Sequence, residues 1–331
     1  MKKILLDSNK NFYKGNMHCH SNLSDGKLSP EELKEQYKSH GYSFLAITDH
    51  EHFNNNSYLD DEDFITITSA EYAIKEFPEQ STLKNFKMKV AHLNLYAKKQ
   101  DNTNHICYSP VFDHYSTGER RERILKEYDH GYERVYTPEG INEIIRIANE
   151  NGFFVAYNHP RWSLENYSHY SKYEGLWGVE ILNYACQSSG IYEYDINVHD
   201  DFLRDGKRIF ASAGDDNHSL GNQFGAWVVV NAESLTYDNI INALLNGDFY
   251  ASSGPEIKEL YVEDNKIYVK SSNAKMISFS TEGRRHGYKK AEPGSYVNEA
   301  EFEIREEDGY VRICVLDEYG NRADSQAYFV E

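Results

Sequence analysis

Residues 16–36 read NMHCHSNLSDGKLSPEELKEQ. His18 and His20 stand one residue apart, Asp25 follows His20 by five residues, and a helix start comes directly after. Side chains in extended chain alternate faces, so both imidazoles project from one face of a short strand and Cys19 from the other. Cys19 is read as a small buried residue. Ser29 takes the N-cap, Pro30 the first helical position, Glu32 completes a capping box, and Gly41 is the stop. The stretch is a strand that ends in two imidazoles and an acid and then passes into a helix.

Outward from it, apolar runs of strand length recur: FLAITDH (44–50), FITITSAEYA (64–73), VAHLNLYA (90–97), FFVAYNHP (153–160), GVEILN (178–183), RIFASAGDD (208–216) and AWVVVN (226–231). Helical patterns alternate with several of them, as in TPEGINEIIRIANENG (137–152) and SLTYDNIINALLNG (234–247). This alternation predicts a parallel sheet covered by helices, open or closed into a barrel. The pattern changes at SSGPEI (252–257), after which short alternating strands and turn signals follow without a helical period. We read residues 256–331 as a small antiparallel domain of sandwich type, and residues 1–255 as the α/β body. Residues 100–136 are polar, Tyr-rich and long for a connection. They are read as a surface excursion with a short helix at 118–128; the alternative is a lid, with Arg120, Arg121 and Arg123 clustered on it.

Composition narrows the function classes. A chain of 331 residues has room for a large domain plus a small one, or for two medium ones. It has no apolar run of about 18 residues, which excludes an apolar membrane-spanning helix. The opening MKKILLDSNKNF lacks a signal-peptide apolar core, so the expected location is cytoplasmic. Four scattered cysteines without a CxxC suggest neither a disulfide framework nor a zinc ribbon. A formal net charge of −18, with no basic stripe, predicts no nucleic-acid partner. No Ser-His-Asp order, Walker loop or Gly-rich dinucleotide turn competes for the chemistry.

The histidines and acids gather at the C-terminal ends of the predicted strands: His18 and His20, Asp49 and His50, Glu71, His159, then Asp215, Asp216 and His218, with His92 inside its own run. In parallel α/β architectures that edge is the functional face. So many imidazoles and carboxylates make a poor core, because each buried unpaired charge costs several kcal/mol. Divalent cations supply the compensation, and imidazole with carboxylate suits zinc, manganese or iron without a thiol.

Four blocks, MHCHSNLSDG, AITDHE, NHP and GDDNH, resemble in content and order the PHP family, named for its polymerase and histidinol phosphatase members; the resemblance covers about residues 16–250. It implies a distorted seven-stranded β/α barrel with two or three divalent metal ions that hydrolyses phosphoesters. Carried over, it implies a first metal position at His18, His20, Glu71 and Asp216. A second would share Glu71 and add His92 and His159. A third would use Asp25, His50 and His218. Some members have His where this chain has Asp25, and Asp there resembles the branch of small-molecule phosphoesterases. The loop at 75–89, before His92, is unusual in length and content. Asp215 is the alternative to Asp216, which the Asp-x-His spacing to His218 favours.

The expected activity is a metal-dependent phosphomonoesterase or phosphodiesterase acting on a small phosphorylated molecule by metal-activated hydroxide. Arg161, directly after NHP, is the expected phosphate-binding cation. His52 is the candidate general acid, Asp49 a residue that orients a ligand from behind, and Glu180 and Asn183 candidate substrate-binding residues. His199 is read as structural, and EGRRHGYKK (282–290) as a solvated hairpin tip. One alternative is a metal-dependent hydrolase of another bond type, although no Lys is read at a matching strand end to serve as a carboxylated ligand. A sugar- or partner-binding module with a non-catalytic barrel is the other, and retention of the whole ligand set argues against it.

Overall fold

The computed structural model describes residues 2–76, 88–116, 118–127, 131–192 and 194–330. The strands of the body are β1 (Lys3–Leu6), β2 (Asn11–Asn16), β3 (Phe44–Ile47), β4 (Ile65–Lys75), β5 (Val90–Ala97), β6 (Phe153–Tyr157), β7 (Gly178–Asn183), β8 (Phe210–Gly214), β9 (Trp227–Ala232) and β10 (Phe249–Ser252), and the seven apolar runs are β3 to β9. Between them lie α1 (Pro30–Ser39), α2 (Gly118–Glu127), α3 (Pro138–Glu150), α4 (Tyr167–Tyr170), α5 (Tyr184–Ser188), α6 (Ile196–Arg204) and α7 (Tyr237–Asn246). The body is a mixed α/β fold in which sheet predominates.

Hydrogen bonding follows the order β10-β9-β2-β3-β4-β5-β6-β7-β8. The expectation of a parallel sheet needs correction. β2-β3-β4 and β6-β7-β8 are parallel, but β5 runs antiparallel to both neighbours, and β9 antiparallel to β2. The reason is local: the end of β4 pairs with the start of β5, Lys75 opposite Val90, so these two consecutive strands lie side by side as an antiparallel pair.

The ladder ends at β8, yet the tips of β2 and β8 meet. Cys19 bridges Asn217 in parallel, Asp216 N donates to the His18 carbonyl at 2.8 Å, and His20 N donates to the Asn217 carbonyl at 3.2 Å. This contact sets the first two histidines beside the GDDNH block.

The helices form where their caps predict. In α1, Ser29 Oγ accepts from Glu32 N, while the Glu32 carboxylate accepts from Ser29 N at 2.8 Å. Leu33 and Tyr37 are buried from α1, and α3 buries Ile141, Ile144, Ile145 and Ala148. His199 is buried in α6 with Nε2 3.0 Å from the Ile209 carbonyl.

The C-terminal strands are β11 (Ile257–Glu263), β12 (Lys266–Ala274), β13 (Met276–Thr281), β14 (His286–Lys290), β15 (Val297–Glu303), β16 (Tyr310–Leu316), β17 (Arg322–Ser325) and β18 (Tyr328–Phe329). They divide between two sheets. β1-β11-β12-β15 forms a four-stranded sheet, while β14-β13-β16-β17 continues the large sheet through the pairing of β17 with β10. A second apolar core lies between them, with Leu6, Leu260 and Val269 from one sheet and Ile277, Ile313 and Val315 from the other. The N-terminal strand β1 is therefore part of the C-terminal sheet.

Residues 100–136 depart from the expected surface excursion. Ile106, Cys107, Tyr108, Phe112 and Arg134 are all buried. Burying a large apolar side chain is worth about 1.5–3 kcal/mol, so these residues hold the segment against the body. The Arg120 side chain, residue 128 of the expected helix, and residues 77–87 of the loop at 75–89 lie outside what the structure describes.

Candidate metal centre and cleft

The strand tips converge on Glu71. Its carboxylate oxygens lie 3.3 Å from His18 Nε2, 3.4 Å from His20 Nε2, 3.2 Å from His50 Nδ1, 3.0 Å from His92 Nδ1 and 3.3 Å from His159 Nε2. Asp216 Oδ1 stands 3.2 Å from His18 Nε2 and 3.1 Å from His20 Nε2, and those two nitrogens are 3.2 Å apart. Asp25 Oδ2 lies 3.5 Å from His50 Nε2 and 3.3 Å from His218 Nε2, while Asp25 Oδ1 is 3.5 Å from His20 Nδ1. The structure thus brings all nine candidate ligands together.

Their chemistry fits divalent cations. Donors bound to one ion at about 2.0–2.2 Å must sit roughly 3.0–3.6 Å from each other, the spacing found here. Four groups have donor atoms within 4.8 Å of one another: His18-His20-Glu71, His18-His159-Asp216, Glu71-His92-His159 and His20-Asp25-His50-His218. The buried His92 Nδ1 makes no hydrogen bond despite its 3.0 Å approach to Glu71. Two acceptors aimed at a common point are what a shared cation requires.

In the protein alone, protons take that place. Burial works to lower the His20 pKa, but hydrogen bonds to Asp216 and Glu71 raise it to about 10. His18 is raised against burial by Asp216, Glu180 and Glu71. Glu71 is held well below the carboxylate range, burial opposing and His92, His18 and His50 prevailing. Burial takes His92 the other way, to about 4. Cations binding here displace protons from the imidazoles.

A PHP domain model matches residues 16–208. The chain belongs to the PHP family. No curated protein matches it. Three solved structures resemble this PHP protein at low identity. A two-domain protein from Bacteroides vulgatus, described as containing a predicted PHP-like metal-dependent phosphoesterase, is 13% identical, with 98% of this chain and 96% of that one covered and a TM-score of 0.45. An amidohydrolase from Chromobacterium violaceum is 14% identical over 71% of this chain and 96% of its own, with a TM-score of 0.40. A lesion-specific endonuclease from Pyrococcus furiosus is 15% identical over 71% and 56%, also at 0.40. At these scores the likenesses carry no argument.

Around the PHP ligands, several residues act differently from their sequence reading. Glu180, expected to touch substrate, is buried behind the ligands: Oε1 lies 3.0 Å from His18 Nδ1, and Oε2 accepts from His159 N at 3.1 Å. Asn183 is buried too, donating to Glu180 at 2.9 Å and Asp216 at 3.1 Å while its own oxygen caps α5. Both fix ligand orientation and have no free polar face for a substrate. His52 is fully buried with Nε2 3.0 Å from Asp113 Oδ1, so it anchors the 100–136 segment and is not placed to protonate a leaving group. Asp49 holds the turn that carries Asp25, accepting from Ser21 N, Ser21 Oγ and Ser24 Oγ at 2.7–2.8 Å. Asp215 faces away, taking the Tyr37 hydroxyl and the backbone N–H groups of Phe224, Gly225 and Ala226, while Asp216 faces the imidazoles of His18 and His20. Asp216, His159 and Glu51 have φ of 51°, 25° and 65°, in the strained left-handed region that clusters at functional sites.

The ligands open into a cleft of about 250 Å³. Arg161 is exposed and not among its described lining residues; the neighbouring Trp162 is. Among the described lining residues the cation is Lys75, on the same face of β4 as Glu71 and Ala73. Period-two counting along ITITSAEYAIK identifies Lys75 once the strand is known to run on past Glu71. From the 100–136 segment come Phe112, His114 and Tyr115. The Tyr115 phenol donates to Asp25 at 3.2 Å, and burial with the Asp25 charge pushes its pKa to about 12, so it remains a donor at neutral pH. Glu51 also lines the cleft, but its charge is taken by the buried Arg134 guanidinium through two 2.6 Å hydrogen bonds.

Proposed function

We propose that this PHP protein is a metal-dependent phosphoesterase that hydrolyses a small phosphorylated molecule. The observation that carries this reading is the single carboxylate of Glu71, shared among five imidazoles, of which His18 and His20 also reach Asp216, and His20 and His50 reach Asp25. The nine residues His18, His20, Asp25, His50, Glu71, His92, His159, Asp216 and His218 would hold two to three ions of zinc, manganese or iron. Bound there, divalent cations supply Lewis acidity and lower the pKa of a bound water.

The chain's own residues do the rest. Glu180, Asn183 and Asp49 hold the ligands in orientation. Lys75 draws an anionic ester into the cleft, and Tyr115 offers a hydrogen-bond donor beside the Asp25 position. Hydrolysis forms a bond from a water oxygen to phosphorus and breaks the ester P–O bond, and the leaving alcohol takes its proton from solvent. The cleft volume and the net charge of −18 favour a small molecule over a nucleic acid. In this reading β2 to β8 form the seven-stranded barrel, closed at the His18–Asp216 contact, and residues 256–331 with β1 form the appended sandwich. Among the described residues no helix is long and apolar enough to cross a membrane.

The test pairs two measurements on protein purified without chelator. Metal is counted by plasma mass spectrometry, and hydrolysis of mono- and diesters is followed with added manganese. Two to three ions per chain with metal-dependent turnover is the expected result. His20→Ala and Asp216→Ala should each lower bound metal and abolish turnover; full activity in either variant would overturn the ligand assignment.

A further inference from the structure

A groove at the other end of the strands from the metal ligands has no part in the chemistry above. It encloses about 390 Å³, within the range of about 300–1,000 Å³ usual for small-molecule sites. β1 lines one side over its whole length, and residues 325–329 line the other. Phe210 and Phe249, the first residues of β8 and β10, close it against the body. β8 therefore starts at this groove and runs to the metal centre, and at about 3.3 Å per residue the two sites are roughly 15 Å apart.

Two observations define an occupant. The first is an open apolar lining. Leu6, Phe249 and Leu260 are buried at the base of the groove, while Ile4 is 49% exposed. The second is charge. Lys3 Nζ lies 5.0 Å from the ring centroid of Tyr328, and the Arg208 guanidinium 4.5 Å from that of Phe329. Among the described residues neither cation has an ion-pair partner. The acid in the lining, Asp248, has its charge offset by Lys10. In a chain of net charge −18, two unpaired cations beside an apolar groove complement a molecule with an anionic head and an apolar body.

Shape narrows the body. The four residues of β1 make the groove about 13 Å long, which suits a straight alkyl chain of medium length. A strand from another protein is the competing occupant, because β1 ends its sheet. The register of β1 shifts between Ile4 and Leu6, and such an irregularity blunts an edge against further pairing.

We propose that this groove binds a free medium-chain carboxylate such as octanoate, with its alkyl chain along β1 and its carboxylate toward Lys3 and Arg208. The inference is independent of the phosphoesterase reading.

The experiment is calorimetry on the metal-loaded full-length protein, with hexanoate, octanoate, decanoate and dodecanoate below their micellar concentrations. Inorganic phosphate is present to occupy the cation ligands. One molecule should bind per chain. Affinity should rise about threefold per added methylene and level off once the groove is full. Arg208→Gln and Lys3→Gln should each weaken octanoate about threefold. Octylammonium, with the same chain and the opposite charge, should bind at least about tenfold more weakly than octanoate. No saturable octanoate binding, or affinity that climbs without a plateau, would overturn the proposal. So would equal affinity for octanoate and octylammonium, or octanoate affinity unchanged in both variants. Octanoate binding abolished by phosphate would place it at the cation ligands and also overturn the proposal. None of these readouts uses turnover, so failure of the phosphoesterase reading leaves them intact.

Discussion

Glu180 shows how a single side chain governs a site it does not line. It has one oxygen on His18 Nδ1 and the other on the backbone N–H of His159, so it orients one imidazole and holds the backbone that carries a second. Loss of such a supporting carboxylate typically costs 10–100-fold in metal affinity. Glu180→Gln, close in size but uncharged, should weaken metal binding by about that factor in a competition titration against a chelator. Lys75 acts on the open side. Lys75→Met should raise KM for a phosphate monoester about tenfold, at roughly 1.4 kcal/mol for one lost charge contact, with metal content unchanged. An unchanged KM would remove Lys75 from the substrate site. The convergence of the nine residues was legible from their places at strand ends and from the resemblance of the four blocks, with His-x-His adding the alternation of extended chain. His52 was not: what captures it is Asp113, far along the chain, and no local spacing reveals that contact. Trp162 and Lys75 escaped for a related reason, since a strand's period shows which side chains share a face but not which face borders an opening.

At the scale of elements, the 100–136 segment is bound to the body through a buried ion pair. Arg134 reaches Glu51 with two hydrogen bonds and also donates to the carbonyls of Cys107 and Ala73. Removing one partner of such a pair leaves a buried charge without compensation, at about 3–5 kcal/mol. Arg134→Met should lose about that much stability in urea unfolding, and adding Glu51→Leu should recover part of it. If the single variant unfolds like the parent, the segment is held by its apolar residues alone. The element order was largely readable: the seven apolar runs are all strands, and the cap at Ser29 opens a helix as expected. The orientation of β5 was not, because an apolar run reads the same in either direction. β1 and β10 were missed because four residues are too few to display alternation.

The whole molecule has a further pH-sensitive element remote from the cleft. Burial lowers the His199 pKa from 6.5 to about 4, the Ile209 carbonyl opposing. Between those values the unfolded chain binds a proton that the native state refuses, so stability is full above pH 6.5 and declines as pH falls toward 4. The loss approaches about 3 kcal/mol at roughly 1.4 kcal/mol per unit. Urea unfolding of chelated protein at pH 7 and pH 4.5 should show a smaller pH loss in His199→Gln than in the parent; equal losses would exclude His199 as the source. The two-sheet C-terminal region was half legible. Its strands and turns were plain, but the docking of β1 onto β11 joins opposite ends of the chain, beyond the reach of any window along the sequence.

The meeting of the β2 and β8 tips has a bearing on biosynthesis. A ribosome makes His18 and His20 early, and Asp216 and His218 only after the intervening helices and strands have been added. Until then the first two imidazoles have no opposite wall, and any ion they capture is held by a partial ligand set. Under the proposed function a complete set of donors exists only late in the life of the nascent chain, and a translation pause before residue 216 would yield a body with most of its strands but no complete centre.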